Sequence, residues 1–112
     1  MNTWLVSFQV QDGSVSYEHS VLLQGTDLAL AEAACGCMGT TWWRGAHLVD
    51  AEGCYWTYQQ GSVWLSIITL LSDTETETLS GLKFLDMWYV TGTPDAPEVR
   101  DAQDNRWQDY RD

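Results

Sequence analysis

Three cysteines, two histidines and sixteen carboxylates are the side chains here best suited to chemistry. Cys35, Cys37, His47 and Cys54 are the ligand types of a structural zinc site, which needs four such groups converging as a tetrahedron. Their spacing argues against one. A single residue separates Cys35 from Cys37, and no second paired motif follows, unlike the knuckles and ribbons that use two. On a helix, residues two apart face different sides. The expectation is two small apolar side chains at a helix end, with no metal and no cofactor.

Nucleophilic catalysis requires Ser or Cys beside an oriented base, and His19 and His47 are the histidines that could serve. His19 shares a predicted strand face with Tyr17 and Val21, the setting of a half-buried structural histidine. There is no Gly-x-Ser-x-Gly, phosphate loop, dinucleotide fingerprint or His-Glu-x-x-His. The carboxylates occur in exposed-looking runs, where nothing tunes them for acid–base work. The expectation is a protein that is not an enzyme.

What remains is contact chemistry. Asp73-Thr74-Glu75-Thr76-Glu77 alternates acid with threonine. If extended, Asp73, Glu75 and Glu77 project from one face at about 6.6–6.8 Å intervals, two residues of strand rise. Duplex phosphates advance about 3.4 Å per strand along the axis, with a longer path between them. Such a row can occupy Lys and Arg sites that otherwise hold phosphates; a solvated loop is the plainer alternative. Asp101 and Asp104 belong to a second acidic stripe near the C-terminus. Trp42 and Trp43 are adjacent beside Arg44, so at most one ring easily points inward. The other is a candidate hydrophobic anchor, since Trp and Arg are enriched at interface hot spots. The alternative has both rings capping the core.

The elements that must position these groups follow from periodicity. Trp4, Val6, Phe8 and Val10 alternate with Leu5, Ser7 and Gln9, which predicts a half-buried strand. Asp12-Gly13 predicts a hairpin turn, and Val15 to Leu23 the returning strand. Thr26 or Asp27 caps an alanine-rich helix from Leu28 to about Met38. His47–Glu52, Cys54–Gln59 and Val63–Leu71 read as a meander of three strands, and Gly81–Val90 as a further strand. Pro97 opens a predicted helix over Glu98–Asp112. Val99, Ala102, Gln103, Arg106, Trp107 and Tyr110 form one side of it, and Glu98, Asp101, Asp104, Asp109 and Asp112 the acidic other. The expected fold class is α+β. It has a mostly antiparallel sheet (hairpin plus meander), one helix packed on it after the first hairpin, and a C-terminal helix. All of this forms one acidic domain over residues 1–112, with 93–112 as the acidic C-terminal helix or tail.

The chain has 112 residues, enough for one self-sufficient core, and seven Trp, unlike a disordered chain. Sixteen acids against five bases give a formal charge of −11. That argues against direct binding to nucleic acid, which needs Lys and Arg to displace counterions, and to an anionic membrane. It favours basic protein partners. Three cysteines do not make a disulfide framework. The N-terminus lacks the basic region of a secretory signal. The apolar stretch Val63–Leu71 falls well short of the about 20 residues that span a bilayer. The expected location is the cytoplasm, that of the host cell if a phage encodes the chain.

In its shortness, its acidity, the hairpin–helix unit Trp4–Met38 and the acids of Asp73–Glu77 and Glu98–Asp112, the chain resembles small acidic inhibitors made by phages, the anti-CRISPR proteins among them. It is similar in build to bacterial toxin-immunity proteins as well. The resemblance implies stoichiometric blocking of a basic groove on a nucleic-acid-binding complex. Asp73, Glu75, Glu77, Asp101 and Asp104 would then supply charge, and Trp42 or Trp43 an anchor. The alternatives are an immunity protein that plugs a toxin or nuclease, and an oligomerising accessory subunit of a phage.

Overall fold

Strand β1 (Asn2–Asp12) carries the alternation through. Trp4, Val6, Phe8 and Val10 are buried on one face. A two-residue turn leads into β2 (Val15–Gly25), with Asp12 opposite Val15. Gly13 in that turn has φ +60 and donates its N–H to the Gln60 carbonyl at 2.9 Å. The computed structural model describes residues 1–50 and 52–107. Helix α1 (Leu28–Thr40) starts where the Asp27 carboxylate accepts the Leu30 N–H at 2.9 Å, and ends where the Thr41 N–H returns to the Cys37 carbonyl.

Then come β3 (His47–Asp50), β4 (Tyr55–Thr57), β5 (Gly61–Leu70), α2 (Asp73–Ser80), β6 (Asp86–Thr93) and β7 (Ala96–Arg100). Among the described residues the strands form one seven-stranded sheet in the order β3-β4-β5-β1-β2-β6-β7. Neighbours are antiparallel except β2 and β6, which run parallel over Val21–Gln24 and Asp86–Tyr89. A parallel neighbour needs a crossover; here it runs through α2 from β5, past β1 and β2. No helix among the described residues is long and apolar enough to cross a membrane.

The sheet curls. α1 touches β4 near one edge and β7 at the other. In a flat sheet at about 4.8 Å per strand those two would lie about 24 Å apart, against a helix diameter of about 10–12 Å. The result is a half-barrel with α1 in its hollow. Small side chains bring the helix close: Ala31, Ala34 and Cys35 are fully buried. At Gly39 the ring of Trp56 lies so near that an added Cβ would fall 2.2 Å from it.

This overturns the expected layout of one packed helix plus a C-terminal helix. The protein is mostly sheet, 50% strand against 21% helix, and its second helix is α2. The segment from Pro97 pairs as β7 with β6, Val99 opposite Val90, both buried. The chain then turns at Asp101, whose Oδ1 accepts the N–H groups of Gln103 and Asn105 at 2.9 Å. Val99 and Trp107 are buried; Val99 is delivered by β7, and Trp107 follows the turn. The part of the expected helix beyond Trp107 lies outside the described residues. At Asp73–Ser80 a capping box prevails over the extended reading: Glu75 N–H to Ser72 Oγ at 3.1 Å, Ser72 N–H to Glu75 Oε1 at 2.9 Å. The expected strand Gly81–Val90 begins late, at Asp86.

Candidate functional site

Because β6 pairs with β2 only from Val21 onward, Val15–Ser20 run past the start of β6 and leave a notch in the sheet. His19 lies in that stretch, opposite Phe8 and on the core face. Its ring stands edge-on to Trp42 at 5.2 Å and to Trp107 at 6.4 Å. Trp107 is pinned by its Nε1–H, which donates to the Met38 carbonyl near the end of α1 at 3.1 Å. Trp88 of β6 meets Trp107 edge to face at 5.0 Å. Beside these rings is a cleft of about 560 Å³, lined by His19, Asp86, Met87, Trp88, Asp101, Ala102, Gln103 and Trp107. Among the described residues its lining holds two carboxylates and neither Lys nor Arg.

Asp101 is fixed in place. Partial desolvation pushes its carboxyl up. Hydrogen bonds from Asn105, backbone and side chain, and from the Gln103 backbone outweigh that and hold it below the ordinary range. It is therefore a formed anion at neutral pH. Asp86, the first residue of β6, is exposed.

No family model, curated protein or solved structure matches the chain.

The residues singled out in the sequence are placed as follows. The row expected of Asp73, Glu75 and Glu77 does not form, because the segment is helical. Asp73 and Glu77 share a face, one turn apart, with Cβ atoms about 5–6 Å apart in such a pair. Glu75 is turned back on its own N-cap, and the Ser72 hydrogen bonds hold its carboxyl below the usual value. Asp101 and Asp104 stand on a turn, not a helix stripe. Asp104 pairs with Arg100 at 3.4 Å, as does Glu98 at 3.3 Å. Trp42 is fully buried and packs on Phe8 at 5.1 Å, so it cannot anchor a partner; Trp43 is half-buried against Tyr58. An exposed indole on the sheet is Trp64, 42% exposed on the face away from α1, edge-on to Tyr55.

The zinc candidates do not converge. Among the described residues no group of three or more His, Cys, Asp or Glu is placed to hold a metal ion. Burial pushes the Cys35 thiol up to about 12, with Cys54 and Glu32 adding to it. Burial raises Cys37 as well, and burial with Glu32 and Asp50 raises Cys54. Thiols held neutral are poor nucleophiles and poor ligands.

Every described carboxylate is exposed except Asp101, which is half-buried. The cations are Arg44, Lys83, Arg100, Arg106 and Arg111. Among the described residues, no named strand or helix carries one apart from β7, which ends at Arg100. The sheet from β3 through β6 and both helices thus present acids without a compensating Lys or Arg of their own. The cleft escaped sequence reading because His19, Trp88 and Trp107 meet only through the parallel β2–β6 pair. Alternation in β2 did place His19 on an inward face.

Proposed function

We propose that this chain is a non-catalytic binding protein that covers a basic site on a nucleic-acid-binding partner, in the manner of the small acidic phage inhibitors it resembles. The observation that carries the reading is the excess of acids: the hairpin, both helices and the β3–β4 and β6–β7 turns carry acids and no Lys or Arg, while Arg100 lies among acids and pairs with Glu98 and Asp104. With a formal charge of −11 the molecule's net field is negative. Fields of this kind steer encounter and select partners by sign more than they set final affinity. Asp73 and Glu77 on α2 supply charge, and Trp64 beside Tyr55 supplies exposed aromatic area. Nucleic acid itself and anionic membranes are repelled.

The test is capture of the partner from lysate by the tagged chain, at low and high salt, followed by reconstitution of the purified pair. The expected partner is basic, binds in fixed stoichiometry and loses nucleic acid on binding. The complex weakens as the screening length falls from about 10 Å at 0.1 M salt to about 3 Å at 1 M. A partner with no basic surface, or a complex indifferent to salt, overturns the reading.

A second reading, self-association, is favoured by the edge strand β3, where Leu48 and Val49 are more than half exposed. Edge strands of this kind invite pairing. Light scattering on the purified chain decides it: a stable closed oligomer without partner supports that reading, a monomer removes it.

A further inference from the structure

We propose that the outer face of the sheet, turned away from α1, is the surface on which the basic partner docks, and that the corner of Asp50, Tyr55 and Trp64 takes one of the partner's arginine side chains. The partner's basic character rests on the reading above; the place and the group recognised come from the sheet. Strand register builds the surface. Asp50 stands opposite Tyr55, Tyr55 opposite Trp64, Trp64 opposite Gln9, and Gln9 opposite Glu18. Residues paired in this way share a face. Trp56, Val63, Phe8 and Val10, the chain neighbours of Tyr55, Trp64 and Gln9, are buried in the core, so the row points outward. It crosses β3, β4, β5, β1 and β2, about 19 Å at about 4.8 Å per step. A carboxylate stands at each end, and two aromatic rings follow Asp50.

The corner is open, and its carboxylate is held. Trp64 is 42% exposed, and Tyr55 meets it edge to face at 6.0 Å. Asp50 Oδ1 accepts the Glu52 N–H at 3.0 Å, and Gly53 lies so near that an added Cβ would fall 2.7 Å from Oδ2. With Gly53, the three side chains line a cavity of about 420 Å³ that holds neither Lys nor Arg among the described residues. At the other end, Gln9 Nε2 donates to Glu18 Oε2 at 2.7 Å. The adjoining rows on β5, β1 and β2 hold Ser, Gln and Ile and no charge. The face therefore offers negative charge and an accessible indole together. Indole faces attract cations, and a guanidinium stacks on a ring while its N–H groups donate to a carboxylate. An ammonium is more strongly hydrated and stacks less well. An uncharged ligand such as a sugar chain would use the rings but not the charge, so the row favours a cation.

The experiment follows the Trp64 indole N–H and the backbone amides of the intact chain by nuclear magnetic resonance, at physiological salt. The titrants are a ten-residue peptide of alternating Arg and Ser, its Lys counterpart, and a β-1,4-linked glucose hexamer. The Arg peptide is expected to shift Trp64 and the amides of Asp50, Tyr55 and Gln9 saturably, the Lys peptide several-fold more weakly, and the sugar not at all. Trp64→Leu, which keeps apolar area and removes the ring, should weaken the Arg peptide about threefold, and Trp64→Phe should restore most of it. Asp50→Asn should cost about threefold. Asp95→Asn, an equal charge change on the β6–β7 turn, should stay within about 1.5-fold. Shifts centred elsewhere, equal affinity of the two peptides, no loss in Trp64→Leu, or equal loss in Asp50→Asn and Asp95→Asn overturns the proposal. Tighter binding of the sugar than of the Arg peptide also overturns it, by marking a carbohydrate platform. Each of these results leaves salt-dependent capture of a basic partner standing, so the two readings fail separately.

Discussion

Two glycines three residues apart on α1 allow the packing of the half-barrel to be tested with one type of substitution. At Gly39 an added methyl would sit 2.2, 2.4 and 2.5 Å from three carbons of the Trp56 ring. That ring is itself 3% exposed and packed in the core. Overpacking of this kind costs about 1–3 kcal/mol. At Gly36 the same methyl meets nothing within 4 Å. There Ala removes the entropic cost of a mid-helix glycine, a gain of about 0.5–1 kcal/mol. The expected outcome of Gly39→Ala is a lower denaturant midpoint with unchanged slope, and of Gly36→Ala a higher one, the two differing by about 1.5–4 kcal/mol. Urea unfolding followed by far-ultraviolet circular dichroism reads both. Gly39→Ala should also disturb the cleft, because the neighbouring Met38 carbonyl holds Trp107. If Gly39→Ala were neutral, or as stabilising as Gly36→Ala, Trp56 would not lie on that turn of α1. The placement of the helix in the hollow would then be wrong.

The acidity of Cys35 predicts a pH dependence. Its folded value, about 12, lies above the ordinary 9.0, so unfolding releases a proton once the pH passes 9.0. The associated stability is complete below that value and declines as the pH climbs toward 12. Cys35→Ala should flatten part of this decline; an unchanged slope in urea melts from pH 8 to 11 would refute the burial. The burial-raised hydroxyl of Tyr58 contributes in the same direction above its ordinary 10.0. For α2, Ser72→Ala removes a cap worth about 1 kcal/mol. No α2 residue is buried, so the loss stays local. The amides of Glu75 and Thr76 should exchange about fivefold faster, with the global midpoint unmoved. A fall in global stability would mean that α2 is part of the core.

Much of the N-terminal half was readable in advance because its signals are local. Trp4 to Val10 alternate over a long run, Asp12-Gly13 favours a tight turn, and an alanine-rich stretch follows a capping aspartate. α2 was hidden by its threonines, whose β-branching suits strands, although Ser72-Asp73-Thr74-Glu75 is the capping-box pattern. β7 was hidden by coincidence: Val99, Ala102, Arg106 and Trp107 also suit a helix. Period alone cannot tell a helical face from a strand followed by a turn. The site was the least legible part. Whether Trp42 or Trp43 turns inward depends on where the sheet lies, and the cleft requires residues 19, 88 and 107 to meet. Charge was legible as a total, whereas the diversion of Glu75 into a cap and of Asp104 into an ion pair was not.

The strand order also sets the timing of assembly on the ribosome. The first hairpin is the middle of the finished sheet, yet its flanking strands come much later: β5 ends at Leu70 and β6 begins at Asp86. A nascent chain shorter than that leaves the β2 edge bare and α1 without its β6 and β7 contacts, a state prone to adhere to neighbours. Folding of the sheet therefore waits until β6 has been synthesised. Products truncated ahead of β6 should be found with chaperones or in aggregates, not as soluble half-domains.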